Sequence, residues 1–220
     1  MRWAILLLAA PLFAQKFSDL RTPEPLPANS TLVIGFLGGF ERWDDEHRSV
    51  RQLALRLREH PGVYAESISN RNRKVALKLI RKAFPDRSHA RIILYGQSWG
   101  GAAAITTARE LGRLGMPVLL TVQVDSVGRD DRTIPRNVRA AINFYQHDLM
   151  TIQGRQEIRA KDPRMTNIIG NFRVAYPPGP ADDAETWARR NLGGSHSKME
   201  LDPKVWNAVE HYILEAIQPR

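Results

Sequence analysis

The chain has 220 residues, of which 43% are hydrophobic and 25% charged, a length and composition that suit one domain with a substantial core and exclude a disordered protein. The formal net charge is +9, but basic residues are mixed with acidic ones and no aromatic-interleaved basic tract occurs, so we expect no specific nucleic-acid partner. Cysteine is absent, which excludes thiol catalysis, thiolate metal sites and disulfides.

The first fourteen residues have the pattern of a secretory signal peptide. A basic start at Arg2 precedes the apolar stretch Trp3–Phe13, and the small residue Ala14 follows. This pattern predicts cleavage after Ala14, with an uncleaved anchor as the alternative. We therefore expect an exported protein, periplasmic or extracellular, with no integral membrane segment after cleavage. Residues 15–30 include a proline-rich run and are predicted to form an extended amino-terminal tether.

From residue 31 to residue 220 the sequence alternates between buried-strand and amphipathic-helix patterns. Strands are predicted at 32–36, 63–68, 91–95, 118–124 and 138–145, with a weaker one near 172–176. Helices are predicted after Trp43, at 73–84, from 101 to about 114, and at 203–217. Such alternation predicts a single α/β domain with a mostly parallel sheet flanked by helices.

One serine stands at a predicted strand-to-helix turn. The segment Gly96-Gln97-Ser98-Trp99-Gly100 follows the apolar run Arg91–Tyr95 and leads into an alanine-rich helix. A sharp turn with serine at its apex and glycine two positions to either side is the nucleophile elbow, in which side chains at the glycine positions would collide. This context predicts a nucleophilic Ser98.

A serine hydroxyl needs a base, and three histidines follow Ser98 late enough in the chain. His196 lies in the predicted loop Leu192–Ser197 before the last helix, from which it can reach the serine. His147 ends a strand but would require a later acid. His211 falls on the polar side of the last helix and is expected at the surface. We therefore predict His196 as the base.

The base in turn needs an acid, and two aspartates follow predicted strands. Asp125 follows the strand that should neighbour the elbow strand, and Ser126-Val127-Gly128 can hold it in a tight turn. Asp148 follows the next strand and is the alternative. Either carboxylate could instead only stabilise a loop by accepting backbone hydrogen bonds. Asp125 is favoured.

Acyl chemistry at Ser98 also requires N–H donors for the developing oxyanion. One predicted donor is the backbone N–H of Trp99, the residue after the nucleophile. The other is expected from the glycine-rich segment Gly35–Phe40, with Phe36 and Leu37 both plausible. No metal-ligand spacing and no dinucleotide-binding glycine pattern occurs, so we expect no cofactor and no metal.

These segments together resemble the α/β-hydrolase superfamily. The resemblance covers residues 31–217 and is carried by Gly35–Gly39, Gly96–Gly100, Asp125 and His196. The run Val124-Asp125-Ser126-Val127, with the segments that follow it, is similar to a lipase- or esterase-like branch whose acid follows the strand after the elbow. Membership implies an α/β-hydrolase fold and a triad of Ser98, His196 and Asp125.

Two departures from the family pattern shape the expected site. Ile34 stands where the family usually has a histidine, and the usual first antiparallel strands are missing. Little sequence separates the central strands, so no large cap domain is expected to cover the site. An open site suits acyl groups presented on a bulky molecule or a surface.

The resemblance implies a serine hydrolase that cleaves carboxylic esters of small or lipid-like molecules. Thioester hydrolysis, acyl transfer to an alcohol and peptide cleavage would use the same residues, because the fold alone does not separate them. A binding protein that has lost turnover is a further alternative, but the sequence retains a serine, a histidine and an acid.

Overall fold

The computed structural model describes residues 15–147, 152–176 and 194–218, and strands alternate with helices along them. The strands are β1 (Thr31–Leu37), β2 (Val63–Ser69), β3 (Ile92–Gln97), β4 (Val118–Val124), β5 (Thr133–Ile134), β6 (Val138–Tyr145), β7 (Arg159–Ala160) and β8 (Asn167–Arg173). The helices are α1 (Ser49–Leu57), α2 (Arg73–Ala83), α3 (Trp99–Arg113), α4 (Gly194–Leu201) and α5 (Pro203–Ile217). Short 3₁₀ turns lie at Phe17–Asp19 and Asn70–Asn72.

Six strands form one sheet in the order β2-β1-β3-β4-β6-β8, and every pair in it is parallel. All residues of β1 and β3 are buried. Strands covered on both faces read as continuous apolar runs rather than alternating ones, which is why the sequence marks these strands clearly. The predicted α/β class with a mostly parallel sheet is confirmed.

Helices cover the sheet on both faces. On one face α2 and α3 pack against the sheet through side chains such as Leu79, Ile80 and Ile105. On the other face α1 and α5 do so, with Leu53 and Trp206 in the second apolar cluster. His211 of α5 is exposed, as its position on the polar side predicts. The carboxyl ends of the strands form the edge of the sheet at which the site lies.

The edge of the sheet differs from the sequence prediction. Strand β8 spans Asn167–Arg173 rather than 172–176, and it has no buried residue. An edge strand with mixed polar and apolar side chains lacks the continuous apolar run that marks the central strands. The two-stranded sheet of β5 and β7 was not predicted either, because two-residue strands have no recognisable period.

Residues 15–30, the predicted extended tether, pack against the domain. They contain little regular structure, but the side-chain amide of Gln15 donates to the carbonyl of Ser67 in β2 at 3.0 Å. The carboxylate of Glu66 accepts from the backbone N–H of Arg21 (2.7 Å) and of Thr22 (2.8 Å). Together with Phe17, Leu20 and Leu26, which pack on the α2 side of the core, these contacts cover the exposed edge of β2.

The predicted signal peptide, residues 1–14, lies outside the described residues. Within the described residues, no helix has both the length and the apolar composition that a membrane span requires.

Candidate active site

Ser98 occupies the turn between β3 and α3 in a strained backbone conformation, with φ 54° and ψ −125°. Two backbone hydrogen bonds hold this conformation: its N–H donates to the carbonyl of Val124 at 3.0 Å, and its carbonyl accepts from the N–H of Val127 at 3.1 Å. Strain of this kind persists only where the surroundings impose it. The serine side chain is left partly exposed at the carboxyl edge of the sheet.

The glycines on either side of Ser98 are required by close backbone packing. A Cβ atom at Gly100 would overlap the carbonyl oxygen of Phe36 in β1, and one at Gly96 would overlap the backbone of Gly100. Both obstacles are backbone atoms, which cannot swing aside as a flexible side chain can. The steric reason inferred from the sequence is therefore confirmed at both positions.

His196 lies beside Ser98 on helix α4, not in the loop that the sequence predicted. Its Nε2 is 3.0 Å from Oγ of Ser98, and the residue is 9% exposed. The eight residues of α4 begin at a glycine and are followed by Pro203, and they carry no periodic apolar stripe. Sequence reasoning missed this helix because an amphipathic stripe is the signal by which helices are found.

Asp125 is fully buried behind the histidine. Its Oδ2 lies 2.6 Å from Nδ1 of His196 and accepts from the side-chain amide of Gln146 at 3.0 Å. Its Oδ1 accepts from the backbone N–H of Gly154 at 2.8 Å. A carboxylate at Nδ1 favours the tautomer whose proton is on Nδ1, which leaves Nε2 as an acceptor toward Ser98. The three residues favoured by the sequence thus meet in one hydrogen-bonded chain.

The other candidates take different positions. Asp148 lies outside the described residues. His147 is exposed, and its Nδ1 lies 2.7 Å from the side-chain amide of Gln156. Neither Gln146 nor Gly154 was singled out from the sequence. No local sequence pattern marks Gly154 as part of the site. The position requires glycine because a Cβ atom there would overlap Asp125, which is 29 residues earlier in the chain.

Phe36 and Leu37 are the last residues of β1, whereas the predicted strand ended at Phe36. Phe36 is paired with Gly96 of β3, and Leu37 with Ser69 of β2. The loop begins at Gly38, whose N–H donates to Oε2 of Glu41 at 2.9 Å. The Asn70 side chain donates to the carbonyls of Leu37 (3.0 Å) and Gly39 (2.7 Å), which fixes the path of this loop. The backbone N–H of Trp99 opens α3, where it has no acceptor within the helix.

A cluster of three carboxylates and one guanidinium lies beneath this loop and α4, and its Arg48 pairs with Asp45 at 3.2 Å. Arg48 stands between Glu41 (3.3 Å) and Glu200 (3.6 Å), and Glu200 follows His196 by one helical turn. Burial raises the pKa of both glutamate carboxyls, and that of Glu200 reaches about 7. One arginine shared by three carboxylates does not compensate the desolvation of Glu41 and Glu200.

We expect replacement of Glu200 by glutamine to make stability less dependent on pH. Between pH 4.5 and about 7 the unfolded chain holds fewer protons than the folded one, so the wild-type free energy of unfolding falls as the pH rises. Relative to Glu200→Gln, the loss across this range should be about 3 kcal/mol. Urea denaturation at both ends of the range measures it. A difference between the two proteins that stays constant with pH would contradict the expectation.

Within the described residues, no group of three or more histidine, aspartate or glutamate side chains is placed to hold a metal ion. What the arrangement offers instead is a hydroxyl beside an imidazole whose second nitrogen faces a buried carboxylate. This arrangement can take a proton from the hydroxyl as it attacks an electrophile.

Comparison with known proteins gives matches to solved structures only. No protein-family model matches the chain, and no curated protein matches it. A cutinase-like protein from Cryptococcus sp. superposes with a TM-score of 0.51 at 13% identity, over 89% of this chain and 98% of that one. The surfactin-cyclizing thioesterase domain SrfTE gives a TM-score of 0.47 at 14% identity, over 93% and 95% of the two chains.

A third similar structure is the RedJ thioesterase from the prodiginine biosynthetic pathway of Streptomyces coelicolor. It has a TM-score of 0.47 at 11% identity, over 94% of this chain and 96% of that one. At these identities the likeness concerns the fold. Together with the parallel sheet and the strand-serine-helix turn, the similarity to the cutinase-like protein establishes that this chain has the α/β-hydrolase fold.

Proposed function

We propose that this protein is a serine hydrolase that cleaves carboxylic esters through an acyl-enzyme on Ser98. The observation that carries the proposal is the hydrogen-bonded chain from Oγ of Ser98 to Nε2 of His196 (3.0 Å) and from Nδ1 of His196 to Oδ2 of Asp125 (2.6 Å). These contacts have the geometry that nucleophilic catalysis by serine requires.

In the proposed reaction, His196 moves a proton twice. Its Nε2 takes the proton from Ser98 as Oγ bonds to the ester carbonyl carbon, and it then gives that proton to the leaving alkoxide as the C–O bond breaks. Water deacylates the enzyme by the same route, with His196 again as base. Asp125 holds the proton on Nδ1 and stabilises the imidazolium in both half-reactions.

We propose that the oxyanion is bound by the N–H of Trp99 and by the N–H of Gly38, in place of Phe36 or Leu37. The N–H of Leu32 donates toward β3 and that of Thr31 toward β2, so the N–H groups of even-numbered residues in β1 point toward β3. By this alternation the N–H of Leu37 points toward β2. The N–H of Phe36 points toward β3, where Phe36 is paired in the sheet.

Gly38 is the next residue on the β3 side, and a Cβ atom at Gly38 would lie 3.2 Å from Cβ of Ser98. Its N–H is held by Glu41 before substrate binds. Because the pKa of the Glu41 carboxyl is raised by burial, this carboxylate is more readily protonated. In its neutral form it is a weaker competitor for the N–H.

The apolar rim of the site supports an acyl or lipid-like substrate. Phe40 is 79% exposed and Trp99 44% exposed, and their rings meet edge to face at 5.8 Å. Exposed apolar side chains gathered at one place mark a binding surface more often than a chance feature. We propose that the acyl group lies against this rim.

Labelling with a fluorophosphonate probe tests the proposal. Wild-type protein and the exposed-loop variant Ser88→Ala should be labelled equally, because the probe reacts with an activated serine hydroxyl. Ser98→Ala should not be labelled. Labelling that persists in Ser98→Ala would rule out Ser98 as the nucleophile. Matched oxygen esters, thioesters and peptides, offered to the wild-type protein, then identify the bond that is cleaved.

We also propose that residues 1–14 direct export and are removed after Ala14. Removal of residues 1–14 would keep the hydrogen bond from Gln15 to β2. Amino-terminal sequencing of protein recovered outside the cytoplasm should begin at Gln15, and a sequence that begins at Met1 would refute the cleavage.

A further inference from the structure

A pocket of about 500 Å³ opens beside Ser98, between the amino-terminal half of α3 and the loops that follow β4 and β6. Trp99, Val127 and Gly154 form part of its wall. Each touches the proposed catalytic residues: Trp99 follows Ser98, Val127 donates its N–H to the Ser98 carbonyl, and Gly154 donates to Asp125. The pocket therefore lies next to the proposed catalytic residues, where one end of a molecule could bind while its ester is held at Ser98.

The wall of the pocket is cationic. Arg73, Arg129 and Arg155 line it, and no carboxylate does so in the part of the chain that the structure describes. The charge of Arg155 is balanced by an ion pair, because its Nε donates to the buried carboxylate of Asp131 at 2.8 Å. Its Nη2 donates to the carbonyl of Gly128 at 2.6 Å. The charge on the two other arginines is not balanced in this way.

Arg73 and Arg129 have no hydrogen-bond acceptor among the described residues, and Nε of Arg73 is buried without a partner. A buried N–H without an acceptor carries a desolvation cost that a ligand can remove. Arg73 is also the first residue of α2, which has eleven residues and no acidic side chain in its first turn. The partial positive charge of that helix end therefore adds to the charge of the arginine.

We propose that this pocket binds an anionic group of the substrate, a phosphate or a carboxylate, through the guanidinium groups of Arg73 and Arg129. Guanidinium groups match the planar oxygens of carboxylate and the oxygens of phosphate with charge-assisted hydrogen bonds. This inference rests on the proposed esterase function and narrows its substrate class to acyl esters that carry a negative charge. The net charge of +9 favours the approach of such molecules.

Matched ester pairs test the specificity and locate the charge. The first pair is p-nitrophenyl hemisuccinate and p-nitrophenyl butyrate, in which the negative charge is on the acyl side of the ester. The second pair is butyrylglycerol phosphate and butyrylglycerol, in which the negative charge is on the alcohol side. We expect the wild-type protein to prefer the anionic member of one pair. Arg73→Gln and Arg129→Gln should each lower kcat/KM for that ester about tenfold, mainly through KM.

The neutral esters should change less than about twofold in both variants, because the lost contact is to the charge alone. Arg87→Gln is the matched control: it removes the same charge from an exposed loop beyond the other end of α2. A wild-type protein without preference for either anionic ester would overturn the proposal. So would equal losses on neutral and anionic esters, or a loss in Arg87→Gln as large as in Arg73→Gln.

Direct binding separates failure of the pocket from failure of the esterase function. Calorimetric titration of methyl phosphate into the Ser98→Ala variant measures binding and requires no turnover. Binding that is lost when Arg73→Gln and Arg129→Gln are added supports the pocket even if no ester is cleaved. Absence of binding, or binding that survives both substitutions, overturns the pocket while the fluorophosphonate result for Ser98 stands by itself.

Discussion

Replacement of Asp125 by asparagine is expected to lower kcat for ester hydrolysis about 10⁴-fold. An asparagine amide at this position favours the imidazole tautomer whose proton is on Nε2, and that nitrogen then cannot accept the proton of Ser98. The packing should survive, since the variant keeps the shape of the side chain. Steady-state kinetics with a chromogenic ester, together with circular dichroism to verify folding, measure the effect.

Asp148→Asn is the matched control, because Asp148 is the other acid that the sequence allows. It should keep kcat within about twofold of wild type, since the buried carboxylate at Nδ1 of His196 belongs to Asp125. If Asp148→Asn abolished turnover and Asp125→Asn did not, Asp125 would be left with only the structural role of anchoring Gly154 and Gln146.

Replacement of Gly100 by alanine is expected to destabilise the fold by more than about 4 kcal/mol. The new methyl group would overlap the carbonyl oxygen of Phe36, a backbone atom in a central strand. Relief would require β1 to move away from α3, and β1 is hydrogen-bonded on both sides. Urea denaturation of the purified variant measures the loss, and failure to accumulate as folded protein is its extreme form.

Gly62→Ala provides the comparison for a glycine that is not crowded. Gly62 has φ +74° and open space around it. Alanine there should lower the free energy of unfolding by only about 1 to 2 kcal/mol, the cost of a left-handed backbone conformation. Equal stability of Gly100→Ala and Gly62→Ala would contradict the packing argument for the turn at Ser98.

The sequence predicted the central elements well because their signals are local. The buried strands β1, β3 and β4 are mostly apolar, and α2 and α5 carry one apolar face each. The turn at Ser98 is also local, since the two glycines that it requires lie within five residues. The positions of Ser98 and Asp125 at the carboxyl ends of neighbouring parallel strands follow from strand order, and the structure brings the two residues to the same edge.

Features that depend on contacts between distant segments could not be predicted from the sequence. Helix α4 lacks an apolar stripe, so no sequence signal marks His196 as helical. The direction of each N–H in β1 depends on the register with β2 and β3, and this register moves the proposed oxyanion donor to Gly38.

By itself, the sequence determined the layered α/β architecture and predicted the serine, the histidine and two candidate acids along it, because periodicity and turn chemistry act within a few residues. Only the tertiary structure decided that Gly154 must be a glycine and that residues 15–30 cover β2. It also brought Arg73 and Arg129 to one pocket, where neither has an acceptor among the residues described. These facts arise from groups far apart in the chain, and their contacts and charges exist only once the chain is folded.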